Sequence, residues 1–170
     1  KAAGVKALRV PSGQFLNVNM GCDQKPFNDV RVRQALALTI DRQAMAGFVA
    51  GGYGTPGNDT PLSPAYRFYK DSALKKPDIA KAKQLLAEAG YADGFTIDFN
   101  YPTGVSRPYM PTPEQVFSNL SNQLSQVGIQ VEAKPAKWSP DYLNQVQGTA
   151  DHGLHLLGWT GDYNDTDNFV

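Results

Sequence analysis

The feature that most constrains the fold is an alternation of helix and strand patterns after residue 78. Apolar residues recur at helical spacing in 79–89 and in 113–127, and a glycine follows each run. Strand patterns lie at 95–99, 129–133 and 154–157, and Ser139-Pro140-Asp141 opens a further short helix between the last two. This order predicts an α/β fold with helices packed on a sheet.

The residues before 78 predict a strand, a helical region and a long loop. Residues 15–20 alternate apolar and polar side chains, as a half-buried strand does. Asn28 or Asp29 can cap the following helix, and Asp41 looks like a second cap, which indicates one bent helix or two short ones. Residues 53–77 are rich in proline and show no sustained period. They predict an ordered surface loop, and loops of that length often have a function.

The composition favours one globular domain and excludes several classes of partner. The chain has 170 residues, 41% of them hydrophobic, and its sixteen basic and sixteen acidic side chains cancel. Nucleic acids and anionic membranes both require a basic excess, so neither is expected as a partner. The chain lacks an initiator methionine, a signal peptide and an apolar run of about 18 residues. We interpret residues 1–170 as a single α/β lobe excised from a longer protein.

The segment 158–169 contains the strongest candidate for ligand recognition. It follows the apolar run 154–157 and places Asp162 on a glycine-flanked turn beside Trp159. A carboxylate next to an apolar wall suits a ligand ammonium group, because the pairing strengthens where water is partly excluded. This pattern favours binding over catalysis.

Arg107 is a second candidate, in a loop that follows another predicted strand. Ligands of α/β sheets gather outside the carboxyl ends of the strands, and Asp162 also follows a strand end. An arginine fork fits a carboxylate well, so two such loops could hold a zwitterion by its two ends. The alternative is a solvated loop arginine, the usual state of this residue.

Other polar residues give weaker patterns. The oxygen-rich stretch at Asp162, Asn164, Thr166 and Asp167 fails the calcium-loop pattern, which needs a glycine at the sixth position. His152 and His155 are three apart, so on one strand they would point to opposite faces and could not share a metal. Cys22 is the lone cysteine. No nucleophile–base arrangement or phosphate-binding loop is visible, so we expect no metal, no cofactor and no enzymatic activity.

Four segments together resemble the extracytoplasmic solute-binding proteins of peptide ABC importers, the dipeptide/oligopeptide/nickel type. They are Pro26 to Leu36 with Ile40-Asp41-Arg42, Asp78 to Tyr91, Val127 to Val131, and Gly158 to Phe169. The resemblance covers most of residues 15–170 in the expected order and is closest to the dipeptide-binding branch. It implies a periplasmic-binding-protein-like lobe with a mixed sheet, corresponding to the middle of the second lobe of a two-lobed receptor. The first lobe and the end of the second would then be missing.

The resemblance also implies a binding site and a location. Arg107-Pro108-Tyr109 before Pro111 resembles the family's carboxylate-binding motif, and Asp162 corresponds to the acid that holds the peptide's free amine. Main-chain groups of residues 158–161 would bond the peptide as an added strand. The implied ligand-binding residues are Arg107, Tyr109, Gly158, Trp159, Thr160, Gly161 and Asp162. The receptor would be periplasmic or extracytoplasmic, free or lipid-anchored, and would deliver dipeptides or short peptides to the permease subunits.

Three alternatives remain at this stage. The same receptor fold could carry another cargo, such as a nickel chelate, haem, glutathione or an oligosaccharide. A hydrolase or transferase with an unrecognised site is a second alternative, and a chaperone-like or adhesive surface lobe that uses the 53–77 loop is a third. Arg107 and Asp162 discriminate among cargoes, because a ligand without a zwitterionic backbone does not need them as a pair.

Overall fold

The computed structural model describes residues 4–6, 8, 10, 12–57, 60–71, 76–148, 152–163 and 165–169. Four strands and five helices follow one another within these ranges. The strands are β1 (Phe15–Met20), β2 (Phe95–Thr103), β3 (Ile129–Lys137) and β4 (Leu154–Trp159). The helices are α1 (Val30–Thr39), α2 (Arg42–Val49), α3 (Ile79–Glu88), α4 (Pro113–Ser125) and α5 (Leu143–Gly148). Two short segments, an irregular turn at Trp138–Tyr142 and a 3₁₀ turn at Thr166–Asn168, precede α5 and follow β4.

The strands form one mixed sheet in the order β1-β4-β2-β3. β1 runs antiparallel to β4, with Phe15 opposite Trp159, whereas β4, β2 and β3 run parallel to one another. The three parallel strands therefore end at the same edge of the sheet, and β1 starts there. This arrangement confirms the predicted α/β fold.

One face of the sheet is apolar and carries the core. Phe99, Ile129 and Leu154 are fully buried, and they pack in one cluster with Leu124 of α4 and Leu86 of α3. Side chains alternate between the two faces of a strand, and many of those on the opposite face are polar. Cross-strand partners on this face are Asn19 with His155, Asp98 with Glu132 and Asn100 with Lys134.

Aspartate side chains cap three helices, which confirms the cap predicted at Asp41 and selects Asp29 over Asn28 for the first helix. The side chains of Asp29, Asp41 and Asp78 accept backbone N–H bonds at the starts of α1, α2 and α3. Each cap satisfies a donor that the first helical turn leaves unpaired. Asp29 also binds the Arg31 guanidinium, which lowers the pKa of its carboxyl to about 2.

The short helix predicted to open at Ser139-Pro140-Asp141 is confirmed in part. It is present as α5, but it begins at Leu143, after the irregular turn in which Ser139 is extended, with φ −135° and ψ 136°. At the start of α4, the Thr112 side chain makes no capping hydrogen bond, and Pro113 at the first helical position has no N–H to offer. The described parts of the 53–77 loop contain neither helix nor strand, as predicted, while residues 58–59 and 72–75 lie outside the described residues. Among the described helices, none has the length and apolar character needed to cross a bilayer.

Candidate functional site

The edge where the three parallel strands end carries the candidate site. The loop 104–112 follows β2, Trp138 follows β3, and the turn 160–163 follows β4. Backbone groups and loop side chains at such an edge are not paired within the sheet and remain available to a ligand. Ligands of α/β proteins therefore bind there. The prediction that Arg107 and Asp162 each follow the end of a strand is confirmed, and the structure shows that these two strands, β2 and β4, are neighbours.

Arg107 is held by a tight turn. Its backbone N–H donates to Met110 O at 3.1 Å, and Met110 N–H donates back to Arg107 O at 2.9 Å. Its guanidinium carbon lies 4.3 Å from the centre of the Trp138 ring, a cation–π contact. The Nε atom is buried and has no hydrogen-bond partner among the described residues. The side chain is therefore fixed by stacking on Trp138.

Tyr109 connects the β2 loop to the end of β4. Its ring covers Gly158 so closely that a Cβ added to the glycine would lie 2.6 Å from Tyr109 Cδ2 and 2.1 Å from Phe15 O. Burial raises the pKa of Tyr109 above its usual value. The close approach of the Tyr109 ring and of Phe15 O sterically excludes a side chain at position 158.

The turn after β4 is held by a single amide. Asn168 Oδ1 accepts the Trp159 indole N–H at 2.9 Å and the Asp162 backbone N–H at 2.8 Å. Gly161 has φ +79°, a left-handed conformation that favours glycine, and an added Cβ would lie 2.6 Å from Phe169 Cζ. Asn168 therefore fixes the backbone of the turn, and the exposed Asp162 side chain projects from a defined position.

Residues of the 53–77 loop contact the segment that follows this turn. Thr166 Oγ1 donates to Arg67 O at 2.5 Å, and the Tyr66 and Phe169 ring centres are 4.6 Å apart. The Tyr66 ring also occupies the space that a side chain at Gly13 would need. Part of the 53–77 loop thus braces the candidate site, which gives it a structural role there.

The structure places all seven predicted site residues at this edge. Arg107 and Tyr109 belong to the loop after β2, and the other five lie at the end of β4 and on its turn. Tyr109 and Gly158 are in contact, whereas their binding of a ligand stays a prediction. Sequence reasoning missed Trp138, Tyr142 and Asn168. Trp138 directly follows a strand end and could have been found by the same rule as Arg107.

The geometric argument about the two histidines was wrong. His152 lies before β4 begins, so the alternation of strand side chains does not apply to it, and its Nε2 is 2.8 Å from His155 Nδ1. His155 is buried, and this desolvation lowers its pKa to about 4. Asn164, one of the possible calcium ligands, lies outside the described residues. Among the residues that are described, no three His, Cys, Asp or Glu side chains cluster to bind a metal. Cys22 is exposed and unpaired.

Comparison with known proteins identifies the family. Residues 1–170 match the model of the bacterial extracellular solute-binding proteins, family 5, middle region. The chain belongs to this family. The resemblance stated from four sequence segments is therefore confirmed.

Individual family 5 relatives share both sequence and fold. Haem-binding protein A of Haemophilus influenzae is 35% identical over 87% of the chain, and the dipeptide-binding protein of Escherichia coli is 33% identical over 97%. The structure of the periplasmic binding protein DppA from Helicobacter pylori, in complex with the peptide STSA, superposes with a TM-score of 0.81 at 25% identity over 93% of the chain. The fold is thus that of a periplasmic-binding-protein lobe.

The chain corresponds to a limited part of these relatives. It spans 26% of the Haemophilus protein, 30% of the Escherichia protein and 30% of the Helicobacter chain. The site at the sheet edge is therefore one portion of the surface that a relative of full length would present.

Proposed function

We propose that this chain is part of the substrate-binding component of an ABC importer and binds dipeptides or short peptides by their two charged ends. The observation that carries the proposal is the placement of Arg107 and Asp162 on adjoining loops at one edge of the sheet. The two loops are linked by the contact between Tyr109 and Gly158. A relative named for dipeptide binding and a neighbour with a bound peptide support the same cargo.

Asp162 would bind the peptide's free amine. Its backbone is fixed through Asn168, and its carboxylate is exposed at the end of β4 beside the half-exposed Trp159 ring. An ammonium group in this position would gain a charge-assisted bond, which strengthens once a closing cleft excludes water.

Arg107 would bind the peptide's carboxylate. Stacking on Trp138 orients the guanidinium plane. The planar fork of an arginine matches the two oxygens of a carboxylate. Main-chain groups of residues 158–161, at and after the end of β4, would bond the peptide as an added strand.

The remaining features of the receptor follow from this function and from the family. The chain would form part of the second lobe of a two-lobed protein, and the ligand would lie between this lobe and the first. Closure of the lobes would signal the loaded state to the permease subunits, and the receptor itself would catalyse no reaction. It would act outside the cytoplasmic membrane, free in the periplasm or held by a lipid anchor.

The decisive experiment is calorimetric titration of the full-length receptor with dipeptides and with their N-acetylated and C-amidated counterparts. We expect Asp162→Asn to weaken binding of the free dipeptide at least about tenfold, because a charged pair loses one partner. The same substitution should change little for the N-acetylated peptide, which has no ammonium group. Asp167→Asn is the matched control, because Asp167 is an exposed acid in the same segment.

Other outcomes would redirect the proposal. If binding survives amidation of the carboxyl end, Arg107 has no role in holding that end. If no peptide binds, the cargo moves to the alternatives, among which haem has the support of the relative from Haemophilus influenzae. Equal losses for the free and acetylated peptides would show that Asp162 does not hold the amine.

A further inference from the structure

Strands β2 and β4 separate before they reach the site. They pair only at Phe99 with Leu154 and at Asn100 with His155, although β2 continues to Thr103 and β4 to Trp159. Backbone groups that face such a gap need other partners, because a buried unpaired N–H or C=O is costly.

Tyr142 supplies the next partner. Its fully buried side chain places the hydroxyl oxygen 3.1 Å from Leu156 N, 2.5 Å from Leu156 O and 3.2 Å from Asn100 O. The hydroxyl accepts the Leu156 N–H and donates to the Leu156 carbonyl, so one side chain satisfies both backbone groups. Burial raises the pKa of Tyr142, which keeps the proton on the hydroxyl.

Tyr109 lies next along this gap. Its ring packs against Gly158, two residues beyond Leu156 on β4. The groups of β4 that face β2 are therefore paired first by β2 at Leu154 and then by Tyr142 at Leu156. The Tyr142 hydroxyl replaces the backbone of β2 where the gap opens, and the Tyr109 ring covers the next part of β4.

Tyr142 is also connected to the Arg107 side of the site. Its ring stacks on Trp138 with centres 5.9 Å apart and planes 24° apart, and the Arg107 guanidinium lies over the same Trp138 ring. The single residue Tyr142 thus contacts the strand that leads to Asp162 and the aromatic platform that orients Arg107.

We propose that Tyr142 is a positioning residue that sets the separation between the Arg107 loop and the Asp162 turn, and so the length of peptide that the receptor accepts. The inference rests on the proposed function of this site. An extended peptide grows by about 3.3 Å per residue, so the spacing of two end-binding groups selects a length only if that spacing is rigid. The hydroxyl of Tyr142 holds the two strands at a fixed width where their own pairing has ended.

The test compares Tyr142→Phe with Tyr101→Phe in the full-length receptor. Tyr101 lies on β2 and its ring stacks on Phe117 of α4 at 4.3 Å, so its hydroxyl is not in the gap. Calorimetry with Ala-Phe and Ala-Ala-Phe measures the affinity ratio between two lengths. We expect Tyr142→Phe to weaken the preferred peptide at least about fivefold and to reduce the ratio, because two backbone groups lose their partner. Tyr101→Phe should preserve both values.

Hydrogen exchange gives a second measurement that does not depend on the cargo. The Leu156 amide of the free wild-type receptor should be protected, and Tyr142→Phe should accelerate its exchange while leaving the Leu124 amide in α4 unchanged. An affinity ratio that stays at the wild-type value, or a Leu156 amide that exchanges equally in both proteins, overturns the inference. If the wild-type receptor binds neither peptide, the proposed function fails instead, and the exchange of Leu156 still decides whether Tyr142 bridges the gap.

Discussion

His155 is the residue at which burial and charge conflict most directly. Its side chain lies on the polar face of the sheet, next to Asn100 of β2 and Asn19 of β1, and only 8% of its surface is exposed. The imidazole Nδ1 lies 2.8 Å from His152 Nε2 and, among the described residues, forms no ion pair with a carboxylate. Desolvation therefore dominates and lowers the pKa from 6.5 to about 4.

This shift predicts that acid destabilises the protein in a defined window. Below pH 6.5 the unfolded chain protonates His155 while the folded protein does not, so the free energy of unfolding falls as the pH drops from 6.5 towards 4. Between pH 7.5 and pH 5.0 the expected loss from this residue is about 2 kcal/mol. Urea titrations at the two pH values give the change in the free energy of unfolding for the full-length wild type and for His155→Gln. The difference between these two changes is the contribution of His155.

Two comparisons make the pH prediction specific. His152→Gln should retain most of the wild-type pH dependence, because burial of His155 is the larger cause of its shift. The carboxyl of Asp29, with a pKa of about 2, titrates well below this window and does not contribute. A pH dependence that is equal in wild type and His155→Gln would show that His155 is accessible to protons in the folded protein.

At the scale of elements, the turn after β4 depends on the 3₁₀ turn that follows it. Asn168 Oδ1 accepts two hydrogen bonds, one from each end of the segment Trp159 to Asp162. Asn168→Ala removes the acceptor for both donors and frees the turn. We expect peptide affinity to fall at least about fivefold, since loss of one hydrogen bond costs about 1 kcal/mol and the turn must then be ordered on binding.

Trp159 gives this prediction a direct readout. Its indole N–H loses its partner in Asn168→Ala, so its fluorescence in the free receptor should shift towards that of a solvated indole. Asn122→Ala, an exposed asparagine on α4, is the matched control and should leave fluorescence and affinity unchanged. If the spectrum shifts while the affinity stays unchanged, Asn168 holds the Trp159 indole but is not needed to position Asp162.

The elements that the sequence predicted well are those set by local interactions. An aspartate cap bonds a backbone N–H two or three residues away, so local sequence predicted the cap at Asp41 and narrowed the first cap to Asn28 or Asp29. The gap between β2 and β4 could not, because Tyr142 reaches it from an irregular turn between β3 and α5. Asn168 is close to Asp162 in sequence, but its residue type does not indicate that it accepts hydrogen bonds from one backbone N–H and one indole N–H.

The loops at the sheet edge illustrate the same limit at the scale of the whole molecule. Because Arg107 and Asp162 both follow strand ends, where ligands of α/β sheets gather, the sequence predicted that their two loops could hold one ligand. The strand order β1-β4-β2-β3, which makes the two loops neighbours, depends on pairings between segments more than fifty residues apart. The parts of residues 60–71 that support Phe169 likewise come from a region with no periodic pattern.

The scale of the whole molecule also determines how tightly a peptide can be held. This lobe offers one open edge, whereas ligand sites of high affinity enclose most of the ligand surface.

The chain spans about 30% of its family 5 relatives, so we expect the isolated 170-residue chain to bind dipeptides at least about 100-fold more weakly than the full-length receptor. Calorimetry on both proteins measures the difference, after circular dichroism and a cooperative thermal transition establish that the isolated chain is folded. Asp162→Asn in the isolated chain should lower the residual binding further, because that contact lies within this lobe. Equal affinities for the isolated chain and the full receptor would mean that the edge of this sheet is the complete site, and that closure of a second lobe adds nothing to the recognition of the ligand.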